Sequence, residues 1–282
     1  MTPRARIASL LLGLGLASAI TGCQHLGQLD AGKLLDAAKD FGKASREATP
    51  EEEAEIGKQW AAVLVGAAPL LKDPAAQRYV NQVGRWVSLQ SERPDLDWKF
   101  GILDDPDFNA FAAPGGYVFV TKGLVANLKS ESELAGVLGH EIAHVVRKHH
   151  LVALRKSALM QGLGNLAESA KGSATSQAVT QRIVGGAKEM ITHGLDQGDE
   201  LEADRMGVVL AARSGYDPYG LPAVLQRLQG MDPKDSGLAL LFSTHPAPGA
   251  RLDKLEPVMA RLDRYATQPQ LADRFVRSAR IK

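Results

Sequence analysis

The sequence predicts a mainly helical α+β fold with a small β-sheet, on three observations. Apolar residues recur at helical spacing in several separate stretches between Thr49 and Leu262. Only Trp98–Leu103 and Tyr117–Thr121 read as strands. The third observation is His140-Glu141-Ile142-Ala143-His144, set within a clearly signalled helix. Ser130-Glu131-Ser132-Glu133 reads as a capping box ahead of Leu134, Val137, Leu138, Ile142 and Val145 at helical spacing. Residues four apart share a helix face, so His140 and His144 can turn their imidazoles to one metal ion. Glu141 stands beside them, placed to take a proton from a water on that ion.

Taken in order, Met1 to Cys23 reads as a processing segment. Arg4 and Arg6 form a basic start, and Ile7 to Ile20 is apolar but shorter than the roughly 20 residues of a membrane span. Ile20-Thr21-Gly22-Cys23 resembles a bacterial lipobox, which makes residues 1–22 a signal peptide and Cys23 the lipidated first residue. Gln24 rather than Asp follows, which in this class suggests the outer membrane. Cys23 is also the only cysteine, so no internal disulfide can form. Removing residues 1–22 takes Arg4 and Arg6 from the 33 basic residues, leaving 31 against 32 acidic ones. Neither that balance nor any basic stripe points to nucleic acid.

Residues 23–48 are small and polar, a spacer after the lipidated cysteine. Thr49-Pro50-Glu51-Glu52-Glu53 starts a helix with a cap, a proline in the first turn and acids near its positive end. Asp73-Pro74 starts another, carrying Tyr79, Val80, Val83 and Val87. The strand Trp98–Leu103 ends in the turn Asp104-Asp105-Pro106-Asp107, whose spacing is not that of a calcium loop. Pro114-Gly115-Gly116 leads into the second strand. Residues 161–198 are rich in Gly, Ala and Ser and read as a flap or a pair of loosely packed helices, with His193 at the surface. A helix from about Asp199 to Arg213 stops at Ser214-Gly215-Tyr216-Asp217-Pro218. Another carries Leu221, Val224, Leu225 and Leu228; a last one, from about Gly249, carries Arg251, Leu252, Leu255, Val258 and Leu262. One domain over residues 49–265 is expected, followed by a polar tail over 266–282.

The metal needs a third protein ligand and an open fourth position. His150 has the spacing of a third histidine, but Arg147 stands where that arrangement has a chain-turning glycine. The helix is then expected to continue through Leu151, Val152 and Leu154. His150 would lie about 600° past His144 at 100° per residue, and with His149 would face solvent. The alternative is Glu200 in Asp199-Glu200-Leu201-Glu202-Ala203-Asp204. Glu200 and Asp204 share one helix face, so Glu200 can bind the ion while Asp204 holds a histidine N–H. Glu202 points about 200° away and, with Asp199, is expected in solvent.

With both motifs in hand, the chain resembles the gluzincin family that includes HtpX and the CAAX prenyl endopeptidases. The resemblance rests on His140–His144 followed by Glu200-Leu201-Glu202-Ala203-Asp204, on Asn109–Gly116, on Thr121-Lys122-Gly123-Leu124, and on His245-Pro246 with Arg251. It covers roughly residues 50 to 265. It implies one Zn2+ per chain held by His140, His144 and Glu200, with Glu141 as base, Asp204 as its supporting acid, and polypeptides as substrates. Those relatives span membranes several times; this chain is more similar to the periplasmic, lipid-anchored or soluble bacterial branch. In gluzincins a strand before the zinc helix forms the cleft edge, which makes Tyr117, Val118, Phe119 and Val120 the expected docking edge for an extended substrate. His245 is expected near the zinc as a fourth ligand or an oxyanion donor, and Arg251 as a partner of the oxyanion or of Asp204. The function implied is zinc endopeptidase work in the bacterial envelope, on unfolded or misassembled envelope proteins. The rival is a binding module that keeps zinc for stability without catalysis. Its mark is loss of the base, and Glu141 is present.

Overall fold

The computed structural model describes residues 46–165, 185–186 and 193–279. The expected signal peptide, Cys23 and most of the glycine-rich stretch lie outside the described residues. The described residues among 48–156 and from 185 to 279 form one compact unit.

The unit begins with α1 (Pro50–Ala67), whose N-cap Thr49 makes the full reciprocal box with Glu52. α2 (Pro74–Ser88) is capped by Asp73, which accepts from the backbone N–H groups of Ala75 and Ala76, and it buries Tyr79, Val80, Val83 and Val87. The sheet comprises β1 (Lys99–Leu103), β2 (Ala110–Ala113) and β3 (Tyr117–Thr121). Its order is β1-β3-β2, with β1 parallel and β2 antiparallel to β3. Two expectations are corrected here. β2 was not foreseen, because its Ala-rich sequence carries almost none of the β-branched residues that mark strands. And β3, expected as the docking edge, is the central strand, so Tyr117, Val118, Phe119 and Val120 already pair on both sides. β2 holds the edge instead.

After α3 (Lys122–Asn127) comes α4 (Glu131–Val146), buried along its whole length. Ser130 caps it by accepting from the Glu133 N–H, but the Glu133 carboxylate accepts from Lys129 N–H and binds Arg227 rather than closing the box on Ser130. α4 does not run on through Arg147 as expected. Lys148 adopts φ 58°, the left-handed region, and α5 (His149–Asn165) starts afresh. α6 (Gln197–Arg213), α7 (Gly220–Gln229), α8 (Ala239–Thr244) and α9 (Pro248–Leu262) follow. The stretch expected as a polar tail contains α10 (Ala272–Ser278), which buries Phe275 in the main core. Its Arg274 reaches the buried Glu131, which also accepts from the hydroxyls of Tyr79 and Tyr216 at 2.6 and 2.7 Å.

The α4–α6 contact positions the site. A Cβ on Gly207 of α6 would lie 2.9 Å from the His140 nitrogen, and one on Gly139 of α4 would lie 2.8 Å from the Gly207 carbonyl oxygen. Only hydrogen at these positions lets the two backbones approach this closely. No helix among the described residues is long and apolar enough to cross a membrane.

Candidate metal centre

α4 presents His140, Glu141 and His144, and α6 presents Glu200 and Asp204; all five side chains are buried. The His140 and His144 Nε2 atoms lie 3.1 Å apart, and each lies 3.5 Å from an oxygen of Glu200. His245, at the end of α8, brings its Nε2 to 3.6 Å from Glu200 Oε2. In a tetrahedral site with bonds of about 2.0–2.1 Å, neighbouring ligand atoms stand about 3.3 Å apart. The 3.5 and 3.6 Å separations from Glu200 are long for hydrogen bonds, and the whole set suits donors facing one ion. Glu200 Oε2 is buried and has no hydrogen-bond partner. An orphaned carboxylate oxygen in the interior is costly unless something positive completes it. The residues therefore fit a divalent cation.

The charges around the cluster agree. Burial works against a proton on His140, but Asp204 and Glu200 overcome it and raise the ring to about 9. The field that draws a proton there also draws a cation. Burial takes His144 well below its ordinary value, leaving it neutral as a ligand must be. Burial pushes Glu141 up to about 7, with Glu200 and Asp204 adding to it and His140 and Arg251 opposing. A bound cation pulls it down from there.

His140 is oriented from behind. Its Nδ1 lies 2.9 Å from Asp204 Oδ1, which leaves Nε2 for the ion. Arg251 of α9 clamps Asp204 through Nε at 2.8 Å and Nη2 at 2.6 Å. Burial opposes ionisation of Asp204, yet Arg251 and His140 hold its carboxyl below the usual range. Of the two roles expected for Arg251, the structure places it on Asp204.

The expectation that His149 and His150 face solvent is overturned. Both rings pack on His144, with centroids at 5.1 and 5.7 Å, because the left-handed Lys148 turns α5 back towards the site. His150 stands edge-on to Trp60 and lines the cleft, although its nitrogens are not among the clustered donors. Burial lowers it to about 4. His193 is exposed, as expected. The cleft is walled by Trp60, Leu64, β2 from Ala110 to Ala112, Gly194, Leu195 and Thr244, and it holds Glu141 and His245. Its cavity of about 50 Å³ has room for a few waters. Trp60 and Leu64 carried no site signal in the sequence, whereas Phe111 lay in the Asn109–Gly116 stretch on which the resemblance rests.

What α4 and α6 assemble is the centre of a metallopeptidase. The chain belongs to peptidase family M48, whose model matches residues 74–258. It is 33% identical to a beta-barrel assembly-enhancing protease of Yersinia pestis over 254 residues, 87% of this chain and 51% of that one. It is 32% identical to the protein of the same name in Escherichia coli K12, over 71% of this chain and 42% of that one. It is 31% identical to the mitochondrial metalloendopeptidase OMA1 of Schizosaccharomyces pombe, over 63% of this chain and 51% of that one. The chain thus spans about half the length of the curated relatives it matches.

Proposed function

We propose that this chain is a zinc endopeptidase of the bacterial envelope, cleaving unfolded or misassembled envelope proteins. The observation that carries the catalytic reading is the buried, unpartnered Glu200 Oε2 facing the Nε2 atoms of His140 and His245. His140, His144 and Glu200 hold the ion, one per chain. When bound, zinc polarises a scissile carbonyl and lowers the pKa of water to about 7.

Glu141 accepts the proton of the attacking water at its carboxylate and hands it to the leaving nitrogen. Asp204, held by Arg251, keeps the His140 proton on Nδ1. The free edge of β2 takes the docking role, because Ala110, Phe111 and Ala112 line the cleft beside Glu141. His245 would take the fourth position around the ion in the resting arrangement, where the attacking water would otherwise sit. Thr244 Oγ1 lies 3.0 Å from its Nδ1, and its Nε2 faces Glu200. Burial lowers His245 to about 4, so the ring is neutral and able to ligate. With His245 seated, that position would be closed to the attacking water, so catalysis would require His245 to withdraw from it.

The envelope assignment is supported by the bacterial relatives, named for beta-barrel assembly, and by the lipobox-like Ile20–Cys23. On this reading lipidated Cys23 anchors the chain at the outer membrane, facing the periplasm.

The test is metal analysis together with casein digestion. Wild type is expected to carry one zinc and digest casein. Glu141→Gln is expected to keep the zinc and lose activity by about 10²–10⁴-fold, as general bases do. Full activity in Glu141→Gln would sink the mechanism and favour a zinc-stabilised binding module.

A further inference from the structure

We propose that His149 is a positioning residue for the metal centre, fixing the tautomer and orientation of His144 as Asp204 does for His140. The inference rests on the zinc reading above. His144 can ligate through Nε2 only if its Nδ1 carries the proton and that proton has an acceptor. The atom facing His144 Nδ1 is Nδ1 of His149, at 3.0 Å. For it to accept, His149 must be neutral with its own proton on Nε2. That nitrogen points at two carboxylates of α6, with Glu202 Oε2 at 3.6 Å and Asp199 Oδ1 at 3.8 Å.

The directions form one consistent relay. The carboxylates favour a proton on His149 Nε2, which frees His149 Nδ1 to accept from His144 Nδ1–H, which in turn frees His144 Nε2 for the ion. The opposite tautomer of His149 would set two N–H groups against each other or leave the proton on the ligating nitrogen. His149 is 4% exposed, so water does not substitute for this partner. α6 therefore serves both ligand histidines. Asp204 acts directly on His140, while Asp199 and Glu202 act on His144 through His149. Lys148 makes this geometry. On an unbroken helix His149 would lie about 140° around from His144.

Two measurements on the full chain decide it. Zinc affinity is read by competition with a chelator in wild type, His149→Gln and His149→Asn, with the d–d spectrum of the cobalt-substituted proteins recorded alongside. Gln puts no acceptor at the Nδ1 position, since its amide reaches towards Nε2 instead, and is expected to lose about 10–100-fold in zinc affinity and to shift the cobalt spectrum. Asn carries an amide oxygen near the Nδ1 position and is expected to recover to within a few-fold of wild type. Wild-type affinity and spectrum in His149→Gln would overturn the proposal. If the substituted chains fail to fold, wild type itself decides, through imidazole ¹⁵N NMR of the zinc-loaded protein. The expected pattern is a neutral His149 protonated on Nε2 and a His144 protonated on Nδ1; a cationic His149, or one protonated on Nδ1, would overturn it. Absence of stoichiometric zinc in wild type would instead defeat the metal reading on which this inference rests.

Discussion

Gly207→Ala is expected to damage metal binding more than folding, because Gly207 sets how closely the two ligand-bearing helices approach. The added Cβ would lie 2.9 Å from the His140 nitrogen, 3.2 Å from its Cα and 3.3 Å from the Gly136 oxygen. Reaching the near edge of carbon contact, about 3.5 Å, requires α6 to move away by roughly 0.6 Å. Such overpacking costs about 1–3 kcal/mol, while Ala in place of Gly within a helix offsets about 0.8–1 kcal/mol. The net loss is up to about 2 kcal/mol, or a fall in Tm of about 4–8 °C at this chain length. Metal sites tolerate ligand displacements of only about 0.2 Å, and Glu200 and Asp204 ride on the displaced helix. Zinc affinity is therefore expected to fall at least about 10-fold. Calorimetry and chelator competition measure the two quantities. Gly66→Ala is the control, since its Cβ meets nothing within 4 Å and the position lies far along α1 from the zinc ligands in sequence. Unchanged zinc affinity in Gly207→Ala would refute the argument that this contact holds the ligand geometry.

Two further outcomes follow from named contacts. His245→Ala is expected to raise basal casein hydrolysis by opening the fourth position around the ion. A lower kcat at constant KM would instead identify an oxyanion donor, and unchanged kinetics and zinc affinity would remove His245 from the centre. Glu131 bears on acid stability. Burial alone would raise its carboxyl, but Arg274 and the hydroxyls of Tyr79 and Tyr216 outweigh it and hold it below the ordinary value. A folded-state pKa below the unfolded one stabilises fully above the unfolded value, about 4.3, and the contribution is lost as pH falls through the folded value. Urea midpoints measured from about pH 6 down to pH 3 should therefore fall more steeply in wild type than in Glu131→Gln; equal slopes would contradict the assignment.

Family membership and the mainly helical α+β class were legible in the sequence because both rest on local pattern. His140 and His144, and likewise Glu200 and Asp204, sit four apart on strongly signalled helices. That spacing sets their common face whatever the rest of the chain does. Thr49, Asp73 and Ser130 announced helix starts for the same reason, since a cap acts within three residues of itself. The departures are all nonlocal. Nothing in the Tyr117–Val120 sequence tells a central strand from an edge, because sheet order depends on what pairs with either side. Ala110–Ala113 forms a strand only because β3 supplies its ladder. Arg274 and Phe275 read as tail until the buried Glu131 and the core give them partners.

The break at Lys148 is the sharpest case. A lysine in the left-handed region costs about 1–2 kcal/mol, so local preference argues for a continuous helix and sends His149 and His150 to solvent. Lys148 Nζ lies 4.0 Å from the buried Glu53, and both histidine rings pack on His144. What the sequence by itself determined is which side chains could face one ion, since that is a matter of helical period. What only the tertiary structure decided is how α4 and α6 come close enough to share it, and which groups stand behind the ligands. Those depend on glycine contacts, a strained turn and charge pairs between residues tens of positions apart, and no local preference encodes them.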